Sequence, residues 1–191
     1  MKEKQIKSLL SLVRRLHKQK YPVLVIVIIA IASLLLDNNL LKTAFYQTEL
    51  NASDECQVLK IYDGDTMTLQ CPGKTEKTKV RMYCIDTAEI RQKPWGYQAR
   101  DYLRSITGKT VRLVEIDKDR YGRTVGEVYN GDINLNLAQV KAGQAAVYDA
   151  YCKKPEYKQA ENEAKLDNLG IWAESGYHQS PWEWRKQQRA K

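Results

Sequence analysis

Residues 56–90 read CQVLKIYDGDTMTLQCPGKTEKTKVRMYCIDTAEI, and the order of elements within this stretch decides the fold. Residues 56–62 and 65–71 are strand-like, and the Asp63-Gly64 pair between them is a strong hairpin signal. With a two-residue loop, Tyr62 faces Asp65 and Cys56 faces Cys71, a register that permits a cross-strand disulfide. Residues 72–78 (PGKTEKT) make a turn, and residues 79–85 form a third strand with β-branched and aromatic side chains. Three strands therefore precede any helix.

Beyond this stretch, residues 86–94 read as a loop. A helix is expected over 96–107, with Ala99, Tyr102, Leu103 and Ile106 on one face and Gly108 ending it. Residues 110–116 and 124–129 are two further strands around the charged turn DKDRYGR at 117–123. Asn136 is expected to cap a short helix over 137–142 that stops at Gly143. Pro155 opens a last helix to about Asp167, with Tyr157, Ala160 and Ala164 facing inward. Residues 181–185 (PWEWR) form an aromatic tail expected to pack back on the domain. Five strands and three helices in this order predict an α+β chain on a small closed barrel, not an alternating βαβ sheet.

The first forty residues stand apart. Residues 22–36 (PVLVIVIIAIASLLL) carry no charge, and with Tyr21, Leu40 and Leu41 they approach the roughly 20 residues that span a bilayer. Residues 1–20 hold seven Lys or Arg and one Glu, which predicts a cytoplasmic N-terminal end with the remainder outside. Ala30-Ile31-Ala32 also fits a signal-peptide cleavage pattern, which would release a secreted protein. The apolar run continues past it through Leu34-Leu35-Leu36, so an anchor is the expectation. The expected organisation is a basic tail at 1–20, a transmembrane or signal-anchor helix at 21–41 and a tether at 42–54. A barrel domain follows at 55–175 and a packed tail at 176–191.

The net charge of +8 is unevenly spread. Residues 43–191 hold 23 positive and 21 negative side chains, so bulk charge does not mark the globular part for nucleic acid. The basic tail suits anionic lipid headgroups instead. All four cysteines, Cys56, Cys71, Cys84 and Cys152, lie beyond the apolar run, where disulfides persist. Three connectivities are possible, and the hairpin register favours Cys56 with Cys71.

Five charged residues sit where a strand pattern does not ask for them. They are Asp65 after the hairpin turn, Arg81 on the third strand, Asp86 and Glu89 at its end, and Arg123 in the charged turn. Singly, each has an ordinary alternative as a turn residue or a surface ion pair. Together, hard oxygen ligands suit Ca²⁺ or Mg²⁺ and guanidinium forks suit phosphate. Glu89 is placed to orient or deprotonate a water. Strict alternation sends Arg81 and Asp86 to opposite faces, so they converge only if the strand bends or ends between them.

The ordered set IYDGDTMTL, RMYCIDTAEI and DRYGRTVGEVY, followed by INLNLAQVKAGQAAVY and NLGIW, resembles the staphylococcal nuclease (thermonuclease) family. The resemblance covers roughly residues 56–174. It implies a five-stranded OB-fold barrel with three helices and Ca²⁺-dependent hydrolysis of DNA and RNA leaving a 3′-phosphate. It further implies Asp65, Asp86 and the main-chain carbonyl of Thr87 as calcium ligands, Arg81 and Arg123 on the phosphate, and Glu89 as general base. Tyr121 and Tyr148 flank the site as base-stacking residues in the family pattern. Ala88 stands where the family usually has Pro, which frees the backbone that aims Glu89. The loop from Ile90 to Pro94 is short compared with the staphylococcal enzyme, which also lacks the cysteines; a Cys84–Cys152 bridge would tie two site walls together. A monomer without an obligate protein partner is expected. The competing readings are a non-catalytic nucleic-acid-binding barrel and an envelope protein whose carboxylates bind Ca²⁺ for stability.

Overall fold

The structure is a computed structural model, and it describes residues 55–190. The elements run β1 (Glu55–Ile61), β2 (Thr66–Gln70), β3 (Thr78–Met82), β4 (Ile85–Thr87), α1 (Trp95–Ile106), β5 (Thr110–Lys118), β6 (Thr124–Asn130) and β7 (Ile133–Asn134). They continue with α2 (Leu135–Lys141), β8 (Ala145–Val147), α3 (Pro155–Leu166) and α4 (Pro181–Arg189). Short 3₁₀ turns lie at Gly170–Trp172 and Tyr177–Gln179.

Five strands close into a barrel in the order β3-β2-β1-β5-β6, and a parallel β3–β6 pairing joins the ends. This closed five-stranded barrel with attached helices is consistent with the OB-fold, and closure leaves its strands without a free edge. The short β7 adds beside β6, and β4 pairs with β8 as a separate two-stranded ribbon. Met67 and Leu69 of β2, Val80 and Met82 of β3, Val111 of β5 and Val128 of β6 are buried to 1% exposure or less. Leu103 of α1, Leu135 and Val140 of α2 and Tyr157 of α3 close the same core from outside. Each side chain buried in this way stabilises the fold by about 1.5–3 kcal/mol before entropy is counted.

The hairpin differs from the two-residue form. Gln57 pairs with Gln70 and Val58 with Leu69, but nearer the turn Lys60 pairs with Thr68 and Ile61 with Met67. This shift lengthens the loop to residues 62–65, closed by Tyr62 N–H donating to the Thr66 carbonyl at 3.0 Å. Tyr62 therefore does not face Asp65. The cause is the Asp63 carboxylate, which accepts the Asp65 N–H at 3.1 Å and bends the chain on itself. The register is unshifted at the far end, and there Cys56 bonds Cys71.

Four α-helices are present among the described residues, not three. The added one is α4, where PWEWR was read only as a tail. Its signals are Pro181 at the first turn and a row of helix-forming Lys, Gln and Arg. The cap of α2 is Asn134, whose side chain accepts from Leu137 N–H, while Asn136 is wholly buried inside the helix. The expected membrane segment at 21–41 lies outside the described residues. Among the described residues no helix is long and apolar enough to cross a membrane.

Candidate active site

The site begins at a corner. β3 stops at Met82, and Cys84 takes a left-handed backbone (φ 67°), which costs a non-glycine residue about 1 kcal/mol. Several contacts hold it there. Cys84 is disulfide-bonded to Cys152, and its carbonyl accepts Tyr148 N–H at 2.9 Å. The buried Asn136 amide donates to the Tyr83 carbonyl at 2.9 Å and to the Gly126 carbonyl at 3.1 Å. β4 leaves the corner in a new direction and pairs with β8. The bend that strict alternation demanded is thus made by residues 83–84, and Arg81 and Asp86 meet at 2.6 Å.

The Asp63–Asp65 turn supplies the next carboxylate. A Cβ on Gly64 would stand 2.6 Å from the Ala99 Cβ and 2.8 Å from Thr87 Cγ2, so only glycine lets this turn lie against α1 and β4. The Gln139 amide of α2 ties it down, donating to the Gly64 carbonyl at 2.6 Å. Asp65 Oδ2 accepts Thr87 N–H at 2.8 Å and the Thr87 hydroxyl at 2.9 Å; Oδ1 accepts the Thr66 hydroxyl at 3.0 Å. Burial works to raise the Asp65 carboxyl, but Arg81 and the Thr87 and Thr66 donors outweigh it and hold it below its usual range. For Asp63 the Asp65 N–H and the more distant Arg81 do not suffice. Burial and the adjoining Asp65 push it up to about 7.

Arg81 lies between the carboxylates. Its Nη2 donates to Asp86 Oδ1 at 2.6 Å. Its Nη1 sits 2.5 Å from Asp65 Oδ2, yet its N–H groups do not point at that oxygen, and this buried nitrogen has no hydrogen-bond acceptor. The contact is ionic without being directional, and the donor is open to an acceptor with another geometry. Burial raises the Asp86 carboxyl; Arg81 and Arg185 oppose that without overcoming it.

Glu89 is aimed by its backbone. Its N–H donates to the Gln92 side chain at 2.8 Å and its carbonyl accepts Gln92 N–H at 2.7 Å. A Cβ on Gly96 would stand 2.1 Å from the Glu89 carbonyl oxygen, so this glycine lets the loop rest on the start of α1. The carboxylate then meets Arg185 of α4, with Nη1 at 2.9 Å from Oε1; Arg185 Nη2 lies 2.6 Å from Asp86 Oδ2.

These groups open into a cleft of about 1470 Å³. Asp63, Asp65, Arg81, Asp86 and Glu89 line one side. Arg123, just before β6, the strand beside β3, also lines the cleft, with its Nε donating to Asp119 Oδ2 at 2.6 Å and not to the central carboxylates. Tyr121 stands beside it, 69% exposed. Tyr148 lines the cleft and packs on Tyr151 and Trp182, with ring centroids 5.4 Å and 5.5 Å apart. Thr87 is buried, and its side chain holds Asp65 without lining the cleft. Asp65, Arg81, Asp86, Thr87 and Glu89 are therefore in contact as one cluster, directly or through shared partners. Arg123, Tyr121 and Tyr148 face the same space from its rim.

A model of the family described as "Staphylococcal nuclease homologue" matches residues 79–174. The chain belongs to this family. The nuclease homologue is 38% identical over 135 residues to an "Uncharacterized endonuclease" of Haemophilus influenzae, spanning 70% of this chain and 74% of that protein. It is 35% identical over 131 residues to an "Uncharacterized endonuclease" of Escherichia coli, spanning 68% and 83%. It is 39% identical over 114 residues to the "Probable staphylococcal-like nuclease CAN3" of Oryza sativa subsp. japonica, spanning 59% of this chain but only 30% of that longer protein.

The nuclease homologue carries two site residues that sequence reasoning missed. Asp63 was read only as a turn former, and nothing in DGD distinguishes a cleft-lining carboxylate from an ordinary turn residue. Arg185 lies beyond the matched segment, on a helix read as a tail; the alternation of Trp and charge in PWEWR was the available signal. Among the described residues no three His, Cys, Asp or Glu side chains gather as a preformed metal cluster, because arginines stand between the carboxylates. The donor set nonetheless fits a hard divalent cation. Asp63, Asp65, Asp86 and Glu89 offer only oxygens, and two guanidiniums, Arg81 and Arg185, leave their charge incompletely balanced.

Proposed function

We propose that this chain is a calcium-dependent phosphodiesterase acting on DNA and RNA, held outside the cytoplasmic membrane by its N-terminal segment. The observation that carries the reading is Arg81, a guanidinium lining an open cleft that is ion-paired to Asp65 and Asp86 but whose Nη1 makes no directional hydrogen bond. Such a donor is costly unless something completes it, and a phosphate oxygen matches its geometry and charge. The relatives' names as nucleases and endonucleases support the same chemistry.

In this reading Asp65, Asp86 and the main-chain carbonyl of Thr87 hold the calcium ion, which polarises the phosphate as a Lewis acid when bound. Arg81 and Arg123 bind non-bridging oxygens from the floor and the rim of the cleft and favour the extra negative charge of five-coordinate phosphorus. Glu89 takes a proton from a water whose oxygen bonds phosphorus as the bond to the 5′ oxygen breaks, and the departing 5′ oxygen takes a proton from solvent water. The products are a 3′-phosphate and a 5′-hydroxyl. Tyr121 and Tyr148 flank the phosphate where bases of an unstacked strand can lie on their rings. The protein works as a monomer. The basic tail at 1–20, the span at 21–41 and the tether at 42–54 leave the barrel outside; if the span is cleaved, the same domain is secreted.

One experiment addresses both halves of the proposal. Membranes from cells expressing the full chain, washed at high pH, are incubated with supercoiled plasmid. Nicking is expected in the membrane pellet with added Ca²⁺ and not with a chelator. Activity confined to the soluble fraction contradicts the tether, and intact plasmid that is bound but uncut leaves a binding module instead of an enzyme.

A further inference from the structure

Helix α4 brings a second arginine, after Arg81, onto the central carboxylates of the cleft, from a segment outside the region that matches the family. The helix is fixed independently of that arginine. Pro181 is buried, Trp182 packs on Tyr148, and the Gln187 amide donates to the Tyr177 hydroxyl at 2.6 Å. The Arg185 side chain is thus delivered to a set place, and only its torsions remain to be chosen.

Its present partners are both oxygens of Asp86, at 3.2 Å and 2.6 Å, and Glu89 Oε1 at 2.9 Å. Asp86 Oδ1 also accepts from Arg81. Both oxygens of Asp86 are therefore held by guanidiniums, through three of about four acceptor sites. A divalent cation approaching this carboxylate meets two guanidiniums, and like-charge repulsion favours withdrawal of one of them. Arg81 is the deeper of the two, with a side chain 17% exposed, and it also neutralises Asp65. Arg185 is 34% exposed and holds only Asp86 and Glu89, so it leaves with less disruption. When it swings away, its paired N–H groups face a cleft that it shares with Arg123, Lys153 and Arg189. A guanidinium fork binds a phosphate with the same two parallel bonds that it gives a carboxylate.

We propose that Arg185 is a third phosphate-binding residue of this cleft, parked on Asp86 and Glu89 in the cation-free protein and transferred to the nucleic-acid backbone once a cation engages those carboxylates. This rests on the nuclease reading above and adds to it a residue that ties cation binding to substrate binding. It makes the C-terminal helix part of the substrate site.

The test uses the full chain in detergent, as wild type, Arg185→Ala and Arg185→Lys, with folding checked by circular dichroism. Calorimetry measures Ca²⁺ binding without nucleic acid, and fluorescence anisotropy measures a nuclease-resistant phosphorothioate oligonucleotide with Ca²⁺ over a range of salt. Arg185→Ala is expected to bind Ca²⁺ several-fold more tightly, because a competitor is gone. It should bind the oligonucleotide about ten-fold more weakly, with the log–log salt slope smaller by about 0.7. Arg185→Lys should keep the slope and lose part of the affinity, since charge is retained without the fork. If Arg185→Ala leaves either the Ca²⁺ affinity or the oligonucleotide affinity and slope at the wild-type value, Arg185 only fastens α4 and the proposal is overturned. Wild-type protein that binds neither ligand overturns the nuclease reading itself, and this proposal with it.

Discussion

Carboxylates are buried in two different ways in this molecule. Glu127 is 2% exposed and fully partnered: Tyr157 donates at 2.7 Å, Lys154 at 2.7 Å and Tyr129 at 3.0 Å. Burial works to raise its carboxyl, but Lys154, Tyr157 and Tyr129 prevail and hold it below its usual range. Asp65 and Asp86 are as deeply buried, but their arginine partners face an open cleft and one guanidinium nitrogen lacks an acceptor. Pairing away from the cleft suits a structural role for the first, and pairing to arginines that line the cleft suits the role proposed for the second. A depressed carboxyl contributes stability above its unfolded value, about 4.3, and loses that contribution as pH falls through the lower folded value. Glu127→Gln is therefore expected to cost about 2 kcal/mol in urea unfolding at pH 7, discounted from the upper range because Lys154 is half exposed. The difference from wild type should narrow steadily below pH 4; a difference that stays constant down to pH 2 contradicts the assignment. Asp65, Arg81, Asp86, Glu89 and Arg123 stood out in the sequence because charge interrupted a strand pattern. Glu127 did not, since one Glu in TVGEVY reads as the solvent face of a half-buried strand.

The element that positions the site is the corner between β3 and β4. Arg81 stays with the barrel, while Asp86 and Thr87 belong to the β4–β8 ribbon. The angle between them is set at Tyr83 and Cys84, by Asn136 and the Cys84–Cys152 disulfide. The Cys56–Cys71 bridge closes the far end of the first hairpin, away from the cleft lining. The two bridges should thus separate stability from activity. Replacing Cys56 and Cys71 together by Ala is expected to cost about 3 kcal/mol on the chain-entropy scale and leave turnover near wild type. Replacing Cys84 and Cys152 is expected to cost roughly 4 kcal/mol, for its longer loop, and to lower turnover at a temperature where both variants remain folded. Denaturant titration with plasmid nicking checks both, and equal activity in the two variants contradicts a positioning role for the corner. The long elements were legible: five barrel strands and three helices follow from period and punctuation, and Tyr157, Ala160 and Ala164 face inward on α3 as their spacing requires. β4 and β8, at three residues each, are too short for a period to show. Only tertiary pairing creates them.

At the scale of the whole molecule, closure of the barrel and attachment of three helices bring together residues as far apart in sequence as Asp63 and Tyr148. α4 then extends the same cleft to Arg185. The fold class was readable because three strands precede the first helix. The reach of α4 was not, because a short polar helix gains its place from contacts with Tyr148 and Asp86 that no local pattern encodes. The central claim is that Arg81 on the floor and Arg123 on the rim hold one phosphodiester between them. The most direct measurement is a double-mutant cycle on kcat/KM for cleavage of a defined oligonucleotide, using Arg81→Ala, Arg123→Ala and the pair. Each single change is expected to lower kcat/KM by about 10²–10³-fold, and the double variant should be scarcely worse than either, because the two groups act as a unit on one transition state. Losses that multiply, with the double variant falling by the full product of the singles, would mean that the two arginines act independently and would contradict the account.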